Sequence, residues 1–202
     1  MTIKKRRDIE KIAMKKKIKD AAIELIEEEG YEKLSIRKIA SKIEYSPTTI
    51  YLYYKDKAEI ITDMSNELYS KVEKNTVAIL NRKDSLTLDK QVQIVLKSFV
   101  ISLCEESEMA KAIMYSGTNA IFSNQNKNTT PSNSGITMLN DLFAKAIDEN
   151  VIKSNIRNTS WMIISALIGF VMSAIENQLY QHEDFEPLVE EFIEIMMGGM
   201  RL

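Results

Sequence analysis

Apolar residues recur along this chain at helical spacing almost from end to end, and no sustained alternation of period two interrupts them. Ile18, Ala22, Leu25 and Ile26 make an i, i+4, i+7, i+8 stripe. Ile36, Ile39, Ala40 and Ile43 make a second on a shorter segment, with Ser35 placed to cap its first turn. Ser46-Pro47 opens a third, proline standing at the first helical position, and Ile50 and Tyr54 would face the helix before it. The pattern predicts helices near 9–29, 35–43, 47–54, 57–82, 88–106, 108–123, 136–150, 156–181 and 185–199. At 1.5 Å per residue the 57–82 helix would run about 39 Å, enough to join a head to a body. The polar, breaker-rich segment Asn124–Gly135 reads as a loop. No strand pattern emerges, so the fold class is all-α.

Only about three residues separate the 35–43 and 47–54 helices, which is the connection length of a helix-turn-helix. The turn lacks the glycine common there. Pro47, Thr48, Thr49, Tyr51 and Leu52 would point outward or sideways, and short hydroxyls and ring faces suit base edges in a major groove. Arg37 has the fork geometry for a guanine, whereas Lys55 and Lys57 suit phosphate. On spacing alone, a structural helical hairpin with a solvated charged face competes equally with DNA binding.

The run Ser46-Pro-Thr-Thr-Ile-Tyr51-Leu-Tyr53-Tyr54-Lys-Asp-Lys57 resembles the DNA-binding signature of the tetracycline-repressor-like (TetR) family, Ser-x-x-Thr-Leu-Tyr-x-His/Tyr-Phe-x-x-Lys. Ser46, Thr49, Tyr51, Tyr53 and Lys57 match its marked positions, with Ile50 for leucine and Tyr54 for phenylalanine. Ile18–Glu29, followed by Gly30-Tyr31, is similar to the family's first helix. Glu44-Tyr45 departs from it, since the family usually has glycine and a small apolar residue there. The resemblance covers about the first sixty residues. It implies a three-helix DNA-binding head with a basic N-terminal arm over 1–56, and a larger helical regulatory and dimerisation domain over 57–202. It also implies a homodimeric repressor released from its operator by a small-molecule effector.

Charge is divided in the same way. Residues 1–58 hold 15 Lys+Arg against 10 Asp+Glu, and the remainder 12 against 19, so a basic front precedes an acidic back. The excess is steepest at Lys4, Lys5, Arg6, Arg7, Lys11, Lys15, Lys16, Lys17 and Lys19. That stretch reads either as an arm following phosphates or as a solvated, partly disordered tail. No apolar signal region follows it.

In the second half, Ser165, Gly169 and Ser173 recur every four residues on an apolar helix, and Phe185, Leu188, Val189, Phe192, Ile193 and Met196 form a broad stripe on the last one. Two such helices either pack within one chain or form half of a four-helix bundle completed by a second copy. The resemblance implies the second, because TetR-like proteins dimerise through their last two long helices. It also implies an inducer pocket among the central helices, where Met64, Phe99, Met114, Tyr115, Phe122, Trp161 and Met162 are soft or aromatic groups suited to a largely apolar effector. Such residues at helical spacing serve equally as core.

Catalytic constellations are missing. His182 is the lone histidine and lies far in sequence from Cys104, the lone cysteine, while consecutive Glu27, Glu28 and Glu29 radiate around a helix and cannot pair. No phosphate-cradling glycine loop and no metal-ligand spacing occurs, so neither an enzyme nor a cofactor is expected. One cysteine excludes an internal disulfide and suits a reducing cytoplasm. The longest apolar run, Trp161–Ile175, is shorter than the roughly 20 residues a bilayer requires. A basic membrane-surface protein and a helical adaptor without a DNA role are the alternatives, and neither accounts for Ser46–Lys57.

Overall fold

The structure is a computed structural model that describes residues 3–81, 86–117, 134–153 and 159–201. Among these residues it is helical throughout: α1 Ile3–Glu29, α2 Ile36–Lys42, α3 Pro47–Tyr51, α4 Lys57–Leu80, α5 Leu88–Glu105, α6 Ser107–Tyr115, α7 Ser134–Asp148, α8 Thr159–Glu176 and α9 Phe185–Met200. Short 3-10 turns at Tyr31–Lys33 and Leu179–Gln181 complete it. Among the described residues there is no strand, only an isolated antiparallel bridge between Ile152 and Arg201.

Three elements differ from expectation. The basic N-terminus, which reads as an arm or a partly disordered tail, is helical from Ile3. Lysine and arginine are good helix formers, and Arg6–Glu10 at 2.8 Å and Lys16–Asp20 at 2.7 Å add pairs one turn apart. α3 ends at Tyr51, three residues early, and α8 stops at Glu176 because Gln178 turns left-handed at φ 55°. The expected 124–135 loop lies outside the described residues as far as 133, and Ser134 and Gly135 already belong to α7.

The described residues divide into two compact units, one drawn from Met1–Glu67 and Glu108–Ser123, the other from Leu68–Ser107 and Asn124–Leu202. α4 contributes its first turns to one and its remainder to the other. In the first unit the two sequence stripes close on each other: Ile18, Ala22, Ile26, Ile39, Ala40 and Ile50 are buried together with Tyr54, Ile60, Ile61 and Met64. In the second, α5 is the central helix, packing on α7, α8 and α9 through Val92, Leu96, Val100 and Leu103. A polar seam joins α4 to α5, with buried Thr76 Oγ1 donating to Ser98 Oγ at 3.0 Å and half-buried Asn75 Nδ2 to Ser102 Oγ at 3.2 Å. The C-terminus is pinned by Arg201, whose guanidinium forks onto Asp89 at 2.9 and 3.0 Å.

Candidate nucleic-acid interface

α2 is set by its ends. Ser35 is extended, and its Oγ accepts from Lys38 N at 3.2 Å, satisfying one free amide of the first turn. At the other end Tyr45 N donates to Ala40 O at 2.9 Å and Glu44 N to Ser41 O at 3.2 Å, the paired bonds of a Schellman motif. That motif places its turning residue in the left-handed region, and here it is Glu44 at φ 60°. The turn therefore has the geometry that glycine favours, held by a residue that pays steric strain for it.

Ser46 then caps α3, its Oγ accepting from Thr49 N at 3.1 Å and lying 2.9 Å from Thr49 Oγ1. Pro47 follows at the first helical position. Ile50 anchors the helix, being fully buried, so the opposite side must face solvent. Thr48, Tyr51 and Leu52 do so, Leu52 at 76% exposure. Arg37 on α2 and Lys55 after α3 are also exposed, and neither is in an ion pair among the described residues. An exposed leucine and tyrosine on a five-residue helix leave apolar surface uncovered, the kind of surface that meets base edges and thymine methyls.

The structure separates the remaining site residues by role. Thr49 and Ser46 hydroxyls are spent on the cap, and Tyr53 is half-buried. Lys57 is half-buried as well: its ammonium donates to Tyr31 O at 3.1 Å and sits 4.2 Å from the Tyr31 ring centroid. It ties the start of α4 to the 3-10 turn after α1. Tyr54 is buried, and its hydroxyl donates to Asp63 at 2.5 Å. Burial pushes that phenol up, as does the hydrogen bond to the carboxylate. Burial alone would raise Asp63 too, but Tyr54, Lys19 and Lys15 together hold it below the ordinary carboxylate range. Many front cations are similarly engaged: Lys15 and Lys19 with Asp63, Lys42 with Glu24 and Glu28 at 3.0 and 2.9 Å, and Lys38 with Glu29. Counting charges along the sequence therefore overstates what is free for phosphate. Tyr45, exposed and lying under the Lys17 ammonium at 4.9 Å, joins the surface beside α3. Its position directly before Ser46-Pro47 was the available signal.

In the second unit, Gly169 and Ser173 are exposed and Ser165 is half-buried; a Cβ added at Gly169 would meet nothing within 4 Å. Leu188 is exposed, while the Phe192 ring stacks on Phe170 at 4.3 Å. Of the expected effector residues, Met64 is fully buried, Phe99 and Met114 are half-buried, and Tyr115, Trp161 and Met162 are exposed; Phe122 lies outside the described residues. An open groove of about 550 Å³ is lined by other groups, among them Asn75, Ile94, Lys97, Ser98 and Ile101. Burial pushes the Cys104 thiol up to about 12, so it stays protonated at neutral pH. Among the described residues no cluster of His, Cys, Asp and Glu is placed to hold a metal ion, and no helix is long and apolar enough to cross a membrane.

Residues 18–64 match the family model described as bacterial regulatory proteins, tetR family. The fatty acid metabolism regulator protein of Bacillus subtilis is 23% identical over 184 residues, covering 90% of this chain and 92% of that protein. The fatty acid degradation regulator FadR from Bacillus halodurans superposes with a TM-score of 0.72 at 20% identity, covering 92% of this chain and 95% of its own. FadR from Bacillus subtilis in complex with stearoyl-CoA superposes with a TM-score of 0.66 at 22% identity, over 91% and 97%. These superpositions show a shared fold.

Proposed function

We propose that this chain, whose residues 18–64 match the family model described as bacterial regulatory proteins, tetR family, is a homodimeric transcriptional repressor released from its operator by a small molecule. The observation that carries the reading is α3 itself. It is capped by Ser46, anchored by Ile50, and turns Thr48, Tyr51 and Leu52 outward. Arg37 and Thr48 read base edges, Tyr51 and Lys55 position the head on phosphate, and Lys57 braces the head from within. The dimer forms through α8 and α9, where Gly169 and Ser173 leave room for a second helix and Leu188 supplies apolar surface. Two heads then occupy successive major grooves.

For the effector, the relative bound to stearoyl-CoA favours a long-chain acyl thioester. α4 runs through both units without a break and is the element through which occupancy reaches the head. Release requires the ligand to bind the DNA-incompetent state more tightly than the competent one. The test has two steps. Duplex fragments selected by the purified protein should share an inverted repeat. Stearoyl-CoA should then dissociate them at concentrations where coenzyme A alone does not. Fragments without a common repeat would overturn the operator assignment, and indifference to the acyl thioester would overturn the effector class.

A further inference from the structure

One stripe of α1 changes character halfway along. Residues 4, 7, 11, 15, 18, 22 and 25 recur at spacings of three and four and so share a face. Downstream that face is the buried Ile18, Ala22 and Leu25 against the rest of the head. Upstream it carries Lys4, Arg7 and Lys11, all exposed and in no ion pair among the described residues, with Lys15 at the transition. The switch falls near the residues that flank α3. Lys17 lies over the Tyr45 ring just before that helix, and Lys15 lies 4.6 Å from the centroid of Tyr54 just after it. From Lys15 to Lys4 the helix rises about 16 Å further. Exposed cations continue the face that downstream seeks the protein interior; they offer a row of charge on the same helix that reaches the residues flanking α3.

We propose that Lys4, Arg7 and Lys11, which together span about 10 Å of helix, form a backbone clamp that grips phosphates of the duplex outside the half-site met by α3 over about three base pairs at 3.4 Å each. This rests on the DNA-binding reading above. The clamp adds affinity and footprint without sequence preference, because phosphate is the same everywhere.

The experiment compares the full chain with Lys4→Gln/Arg7→Gln/Lys11→Gln, whose glutamines keep helix propensity. The probes are the tightest fragment selected from random duplexes, once with ten flanking base pairs on each side and once trimmed to the repeat. The wild type should bind the flanked duplex at least tenfold tighter than the trimmed one. The variant should bind both alike, with a log–log salt slope shallower by up to about three per chain and unchanged preference among base variants. A variant that keeps the wild-type slope and flank dependence overturns the clamp. So does a variant that loses base preference, since the residues would then belong to readout. A triple variant that loses binding to phosphatidylserine vesicles while its DNA slope stays put assigns the row to a lipid surface instead. Failure of the wild type to bind any duplex overturns the function itself and the clamp with it.

Discussion

At the scale of single residues, Glu44 and Arg37 make opposite kinds of prediction. Glu44 holds the left-handed position of the Schellman turn, where a Cβ costs roughly 1–2 kcal/mol that glycine avoids, offset in part by glycine's greater freedom when unfolded. Glu44→Gly should therefore raise the stability of the head by about 1 kcal/mol, read as a higher midpoint in urea with an unchanged slope. A lower midpoint would mean that the turn geometry is held by the glutamate side chain. Arg37→Ala touches no core and should leave stability alone while costing about 1–3 kcal/mol on the preferred operator, relaxing preference at one base pair of each half-site. Lys57→Ala is different, because its ammonium bonds Tyr31 O inside the head. It should weaken all duplexes by similar factors and also cost about 0.5–1.5 kcal/mol of stability. Equal, sequence-independent effects of the two substitutions on binding would make Arg37 a positioning residue.

At the scale of elements, the tie between α1, the end of α3 and α4 runs through Asp63. Its carboxyl is held below the ordinary range by Tyr54, Lys19 and Lys15 despite partial burial. A depressed folded value means that the tie is fully present above the unfolded carboxylate's pKa and is lost as pH falls through the folded one. Thermal melts of the head should thus lose stability on acidification below the ordinary carboxylate range. Asp63→Asn should be less stable at neutral pH and flatter in acid. A variant with the wild-type acid profile would shift the effect to other carboxylates. In the second unit Arg201 joins the last residues to α5 through Asp89 and to α9 through Glu194. The pair is partly exposed, so Arg201→Ala should cost up to about 1 kcal/mol, checked by the melting temperature in low and high salt.

At the scale of the whole molecule, the prediction concerns assembly. Since a side chain at Gly169 meets nothing within its own chain, Gly169→Leu should fold normally and act only on a partner helix. Sedimentation at micromolar concentration should show a shift from dimer towards monomer, with helicity kept. A dimer of unchanged stability would place the interface elsewhere. Trp161, Met162 and Ile195 are exposed too, Ile195 at 76%, so apolar surface in this unit extends beyond the small-residue face.

The amino-acid sequence by itself determined the helical fold and the helix-turn-helix, because both rest on local rules. Periodic apolar residues choose a buried face, Ser35 and Ser46 choose helix starts, and Pro47 sets the first turn of α3. What tertiary structure decided is which charges are free. Lys15, Lys19, Lys38 and Lys42 look identical along the chain to Lys4, Arg7 and Lys11, yet among the described residues folding brings acids of α1 and α4 to the first group and none to the second. Lys57 passed from a phosphate contact to an internal brace because Tyr31, 26 residues away in sequence, presents its carbonyl and ring to it. The residues expected to line an effector pocket were hardest to read, because a methionine or aromatic at helical spacing looks the same whether it fills a core, lines a cavity or lies on the surface. Only long-range packing distinguishes Met64, fully buried, from Trp161, largely exposed.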